Sequence, residues 1–326
     1  METSRSPWKV LRDSHEFALR VWPNLYSSPW SRHDFTLPQL FACLVVREQL
    51  SLSYRRAEAL LRDSPHWLGV IGMARAPDHN TLWRAFALVA ETRRVNRMLD
   101  LMAEAFAREG LLRALRSVNP LTIDSTCFEE RHRSHHYDRV CRKMKLRDGG
   151  KYAEKDDPAE VNASRSRKAR RMPKLALAVA SGCHLVLAAR AHTGTGSDSP
   201  DFQPLLYRAW RRANVKHVVA DPGFDGEHNH RAARLDMGVR SVIPPNIGRP
   251  SDKPPAGRFR RLMRQRFARN ADRRTYGQRA QSETVNSMIK RNFGDALQSV
   301  RPKRREQEML LRTLTHNVML YANRHG

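Results

Sequence analysis

From residue 117 onward the apolar runs occur in one order: three strand-length runs, then helix, strand, helix, strand, helix. "SVNPLTIDST", "KLALAVAS" and "HLVLAARAHTG" are the three consecutive strand candidates, the last two joined by a turn-like "GC". "SPDFQPLLYRAWRRA" has helical spacing, "KHVVAD" is a short strand, "GEHNHRAARLDMG" a helix closed by Gly238, and "VRSVIPP" a strand stopped by prolines. Three strands in a row favour an antiparallel meander, and the alternation after them favours parallel crossovers. The chain is therefore expected to be α/β, with a mixed sheet carrying helices on its faces. Two of the runs end on a carboxylate, Asp124 and Asp221. An aspartate ending a strand is a common turn-former. In an open sheet of this kind it also stands where ligands gather, at the carboxyl ends of parallel strands.

Residues 1–112 are different. "LPQLFACLVVREQL", "LSYRRAEALLRD" and "HNTLWRAFALVAETRRVNRMLDLMAEAFAREG" carry apolar residues at helical spacing, with Asn80 and Thr81 as caps and Gly110 as a stop for the last. This predicts a helical N-terminal domain over 1–112, either a helix-turn-helix reader of DNA or an ordinary helical domain, followed by an α/β domain over 113–326.

Charge narrows the partners. The 59 Lys and Arg exceed the 33 Asp and Glu by 26, and such an excess repels itself unless a polyanion neutralises it, so nucleic acid leads. No apolar run approaches the roughly 20 residues of a spanning helix, and no signal peptide opens the chain. The four cysteines show no C-x-x-C pair, which argues against a disulfide scaffold and a Cys-rich zinc finger. The expectation is a cytoplasmic, nucleoid-associated protein with no membrane partner.

Two stretches fit no regular element: a basic insert at about 129–173, and the segment from Arg249 to Arg279, with 11 Lys or Arg against 2 Asp. Both read as basic arms following a phosphate backbone, with Tyr137, Tyr152, Phe259 and Phe267 able to stack on unpaired bases. His132, His135, His136, Cys127 and Cys141 match no zinc spacing. "HTGTGSDSPDF" lacks the G-K-[ST] of a P-loop and reads as a turn into the helix near Pro200.

The most informative stretch is "TYGQRAQSETVNSMIKRNFG", with Glu283 as its one carboxylate. At about 100° per residue, Tyr276, Arg279, Glu283 and Lys290 fall in a stripe about 60° wide, provided the helix reaches back past Gly277 to Tyr276. A surface ion pair accounts for Arg279 with Glu283. It leaves Tyr276 and Lys290 on the same face unexplained, whereas phosphodiester chemistry needs one acid for a metal ion and cations for the phosphates.

"TIDST", "VVADPGFDGEHNHR" and "YGQRAQSETVNSMIK" together resemble the three acidic motifs of DDE transposases of bacterial insertion sequences, in the branch with the Y-x2-R-x3-E-x6-K signature. The resemblance covers roughly residues 118–322. It implies an RNase H-like domain and a catalytic, metal-binding triad of Asp124, Asp221 and Glu283. Mg²⁺ is the implied cofactor, with Mn²⁺ as substitute. Tyr276, Arg279 and Lys290 would contact DNA near the cleaved end. The implied partners are terminal inverted repeats and target DNA, bound by a homodimer, and the implied reaction is cleavage followed by strand transfer. Rival readings are an inactive or domesticated DNA-binding relative and a nuclease on the same fold. Asp225, in "DPGFD", competes with Asp221 for the second position. The 62 residues from Asp221 to Glu283 leave no room for a large β-rich insertion.

Overall fold

The computed structural model describes residues 3–26, 28–30, 32–108, 120–130, 172–194, 196–246 and 255–323. Its centre is a five-stranded mixed sheet of β1 (Leu121–Cys127), β3 (Lys174–Ala180), β4 (Leu185–His192), β5 (His217–Ala220) and β6 (Arg240–Val242), ordered β4-β3-β1-β5-β6. β1, β3 and β4 pair antiparallel, and β5 and β6 add to β1 in parallel. This is the meander followed by crossovers that the apolar runs predict.

Every residue of β3 is buried because both of its faces are covered. Leu175, Leu177 and Val179 enter one core, and Ala176, Ala178 and Ala180 the other. The alanine side receives α7 (Ser199–Arg212) through Phe202, Leu205, Leu206 and Ala209. The other face is covered by α11 (Ala280–Phe293) and α12 (Pro302–Ala322), through Val285, Ile289, Leu314 and Val318.

The N-terminal part holds α1 (Pro7–Val21), α2 (Leu37–Gln49), α3 (Tyr54–Asp63), α4 (Pro65–Val70), α5 (His79–Val89) and α6 (Thr92–Arg108). Their apolar residues, including Phe41, Leu44, Phe86 and Met102, belong to the same continuous core as the α12 face of the sheet. α2 begins with a capping box, Thr36 with Gln39, which satisfies two backbone donors reciprocally. The stretch read as one helix from His79 is two, broken at Ala90 and Glu91, and its cap is Asp78, which accepts from the amides of Asn80 and Thr81. Asn80 and Thr81 are therefore capped residues and not caps. No helix among the described residues is long and apolar enough to cross a membrane.

The expected basic insert lies outside the described residues, except for its ends. There β2 (Glu129–Glu130) pairs in parallel with β7 (Ala296–Leu297). The Arg249–Arg279 segment departs from expectation. Two helices occupy it, α9 (Arg258–Ala268) and α10 (Arg273–Gly277). The buried face of α9 is only Phe259 and Met263, too sparse an apolar stripe to register among so many arginines. Its start is supplied from elsewhere: the carboxylate of Glu227, opening α8 (Glu227–Arg231), accepts from the amides of Phe259 and Arg260. Gly257 has φ +96° against that carboxylate, where a Cβ would collide. Phe259 is thus buried, and Phe267 packs edge-on against Tyr276; neither is free to stack on a base. Tyr137 and Tyr152 lie outside the described residues.

Candidate active site

Leu121 and Ile123 of β1 face the α7 core, so by strand alternation Asp124 faces α11, and from Asp124 onward the strand is only partly buried. The parallel register pairs Ile123 with Ala220. The next residue on each strand is an acid, Asp124 on β1 and Asp221 after β5, at strands about 5 Å apart. Asp221 opens the 3₁₀ turn Pro222–Phe224 and accepts from the Gly223 amide.

Glu283 lies in the first turn of α11. One turn on, Asn286 donates through Nδ2 to Asp124 Oδ2 at 3.1 Å. Arg279 stands between the acids: its guanidinium pairs with Glu283, and its Nη1 is 4.0 Å from Asp124 Oδ1. The helix breaks at Gln278 and Arg279, but the chain passes the break through successive i→i−3 hydrogen bonds from Gln278, Arg279, Gln281 and Ser282, so Tyr276 stays beside Arg279. Lys290 projects over the ring of Phe128, 5.6 Å from its centroid. Asp124, Ser125, Thr126, Glu283, Asn286 and Lys290 line one open cleft of about 640 Å³.

Electrostatics bind these groups together. Burial pushes the Asp124 carboxyl up to about 6, and Asp221 and Glu283 add to the rise against the opposing pull of the Ser125 amide and Arg279. Burial also raises the Tyr276 phenol, with Asp221 and Glu283 contributing and Arg279 opposing. Among the described residues no three acidic, histidine or cysteine side chains form a closed metal-ligating group. The guanidinium of Arg279 supplies the positive charge between Asp124 and Glu283.

Asp225 sits elsewhere. Its carboxylate is fully buried, 2.8 Å from Arg260, 3.3 Å from His230 Nε2 and 2.9 Å from the Asn246 amide. Burial works against ionisation there, yet these partners hold its carboxyl below the ordinary range. His316, on α12, is fully buried, its ring 3.1 Å from the carbonyl of His184. Cys127 is half-buried, and His132, His135, His136 and Cys141 lie outside the described residues.

Two neighbours of the site escape sequence reasoning. Asn286 is one amide among several on the helix. Asp198, in the loop before α7, accepts from Ser125 Oγ at 2.7 Å and pairs with buried Lys174 at 3.1 Å. A Cβ on Gly223 would lie 3.0 Å from Asp221 Oδ1 and 3.2 Å from Asp198 Oδ2, so both carboxylates border that glycine. The available signal was "SDSP", an acid just before a proline-started helix.

Residues 120–318 match the family model described as Transposase DDE domain. The chain belongs to this family. The matched segment covers more than half of the transposase-family chain and runs from the start of β1 into α12, enclosing Asp124, Asp221 and Glu283. No curated protein and no solved structure matches the chain. The family acts on DNA and generally uses divalent metal ions.

A stability measurement reports on the raised carboxyl of Asp124. Its folded-state value, about 6, lies above the unfolded value of 3.8, so the folded protein holds the extra proton between these values. The charge therefore costs stability fully above pH 6, and the cost vanishes below about pH 4. Asp124→Asn is expected to be more stable than the wild type at neutral pH by roughly 1–3 kcal/mol, with the gain lost at pH 4. Urea unfolding at both pH values checks this; equal stability at neutral pH would show that the site stores no such cost.

Proposed function

We propose that this transposase cleaves DNA at the ends of an insertion sequence and transfers the freed strand to target DNA, using an RNase H-like domain over 113–326. Asp124, Asp221 and Glu283 are its metal-binding acids. The observation that carries the reading is the placement of Asp124 and Glu283 on either side of Arg279, with Lys290 in the cleft those two acids line and Asp221 directly after the strand that pairs with β1.

Carboxylate oxygens are hard donors that suit Mg²⁺, with Mn²⁺ as substitute. Two such ions, held by the three acids, would supply Lewis-acid activation of the attacking and leaving oxygens. The protein's own groups do the rest. Asn286 holds one oxygen of Asp124 and leaves the other facing Arg279. Arg279 releases Glu283 and turns to a phosphate, a planar fork suited to two phosphate oxygens. Lys290, carried on Phe128, binds a second phosphate, and Tyr276 contacts the DNA end beside Arg279. Water as nucleophile leaves a 3′-OH, and that hydroxyl as nucleophile joins the element to target DNA. Helices within 1–112 serve end binding or dimerisation, and two protomers bring the two ends together.

A second reading, a relative that binds DNA without cutting it, is favoured by one observation: Glu283 is already ion-paired with Arg279. Purified protein with DNA carrying the ends of its own element separates the two. Cleavage and joining that require Mg²⁺ or Mn²⁺, and that Glu283→Gln abolishes while still binding the ends, are expected. Binding by the wild type with no cleavage at any metal concentration would favour the second reading.

A further inference from the structure

A second concavity lies apart from the acidic cleft. It is a groove of about 2200 Å³ between α6, the C-terminal half of α7 and the start of α12, and it shares no lining residue with the cleft. Small-molecule sites run to about 1,000 Å³ and are mostly apolar. This groove is larger, and it is lined by ten basic against four acidic side chains.

Arg93 and Arg97 lie one turn apart on α6, Arg208 and Arg211 lie on α7, and Arg301 and Lys303 lie at the start of α12. All but the half-buried Arg208 are exposed, and none of the six has an ion-pair partner among the described residues. Arg208 and the adjacent Arg212 are held below the ordinary arginine value, chiefly by burial and further by neighbouring arginines, against the opposing pull of Asp100. α12 starts behind Arg301 with no side-chain cap and no acid in its first turn, so no carboxylate of that turn offsets the positive end of its dipole. Tyr207 lines the groove and packs against Trp210, ring centroids 6.3 Å apart, both substantially exposed.

Unrelieved positive charge from three helices calls for a polyanion. A second copy of a chain with net charge +26 would bring more of the same sign. On the reading of the chain as a DNA-acting transposase, we propose that this groove binds the phosphate backbone of double-stranded DNA, as a contact region separate from the acidic cleft. α7 connects the two regions. Its first residues adjoin Asp198 beside the Asp221 turn, and Arg211 lies about 18 Å further along the helix. A duplex held in the groove is therefore registered to the cleft by a rigid element.

The test uses the full-length protein in EDTA, so that no chemistry intervenes, and a fluorescent random-sequence duplex of about 40 base pairs titrated at several salt concentrations. Arg93→Ala/Arg97→Ala/Arg211→Ala is expected to bind at least roughly tenfold more weakly near 100 mM salt. The slope of log affinity against log salt should shrink by up to about 2.7, at about 0.9 per lost phosphate contact. Far-UV circular dichroism confirms that the variant is folded. Arg93→Lys/Arg97→Lys/Arg211→Lys, which keeps the charge, should cost much less, and p-benzoylphenylalanine at position 207 should crosslink to the duplex on irradiation.

An unchanged affinity and slope in the alanine variant, an equal loss in the lysine variant, or no crosslink at 207 overturns the groove as the site while leaving the proposed function standing. A wild type that binds no duplex removes both. A groove variant that binds DNA normally but changes its sedimentation coefficient would make the groove a protein interface instead. An end-carrying duplex and a random one, compared in the same assay, tell whether element or target DNA occupies it.

Discussion

Asp221→Ala is expected to give a folded protein without metal-dependent DNA cleavage, whereas Asp225→Ala gives a protein with little stability left. The two acids are four residues apart in "DPGFD", and their surroundings decide the difference. Asp221 follows β5 directly, one residue past the pair Ile123–Ala220, and accepts a local hydrogen bond from Gly223. Removing that bond costs about 1 kcal/mol, as for other caps. Loss of a metal-binding carboxylate removes several kcal/mol of transition-state stabilisation, on the order of a thousandfold in rate or more. Asp225 is fully buried against Arg260, His230 and the Asn246 amide. Its removal strands a buried imidazole and a half-buried guanidinium, at a cost of about 3–5 kcal/mol from a total stability of about 5–15 kcal/mol. Thermal unfolding and single-turnover cleavage on the same preparations read both effects. A stable Asp225→Ala that cannot cleave, beside an active Asp221→Ala, would transfer the second acidic position to Asp225.

The sheet was legible because its strands are apolar on both faces or stop abruptly at an acid. Asp124 and Asp221 stand out in sequence because each ends such a run, and parallel pairing of β1 with β5 then brings them side by side without further information. The stripe of Tyr276, Arg279, Glu283 and Lys290 was legible as a helical period, although the helix is broken at Gln278 and Arg279 and held only by tightened turns. What failed depended on distant partners. α9 is capped by Glu227 from another helix and buries only two side chains, so its own sequence resembles a charged loop. Asp198 gains its place from Ser125 and Lys174, at 73 and 24 residues' separation. The break after Val89 was missed because Ala90 is itself buried and apolar and continues the pattern across the gap.

Arg279 explains how Asp124 and Glu283 can share one cleft. Like charges at neighbouring strand ends raise one another's pKa, and Asp124 shows this added to its burial. A guanidinium between Asp124 and Glu283 offsets part of that repulsion and is withdrawn without breaking a covalent contact. The Arg279–Glu283 pair, taken alone a surface salt bridge of a few tenths of a kcal/mol, therefore also serves to screen Glu283 from Asp124.

Arg312→Met is expected to be the most destabilising single substitution in α12, at about 3–5 kcal/mol. In sequence Arg312 looks like a polar position of an amphipathic helix. In the fold it is fully buried, 2.9 Å from both Glu48 of α2 and Glu308, and it donates to the carbonyls of Gly294 at 2.8 Å and Ala296 at 3.1 Å. One guanidinium thereby joins an N-terminal helix to the end of α11 and to β7. Methionine fills much of the volume but leaves two buried carboxylates facing each other. Burial already pushes the Glu48 carboxyl up against the pull of Arg312 and Arg47, so without Arg312 it protonates or the helices part. Arg312→Met/Glu48→Gln should therefore be less destabilised than the two single losses combined, because the uncompensated charge has gone. The guanidinium also lies 5.4 Å from the ring of Phe128, on which Lys290 rests, so DNA cleavage should fall in Arg312→Met even under conditions where it remains folded. Urea midpoints for the two singles and the double, with cleavage assayed at low temperature, test both halves. Additive losses would mean that Arg312 acts through its hydrogen bonds to Gly294 and Ala296 and not as the counter-charge that joins the N-terminal helices to the catalytic sheet.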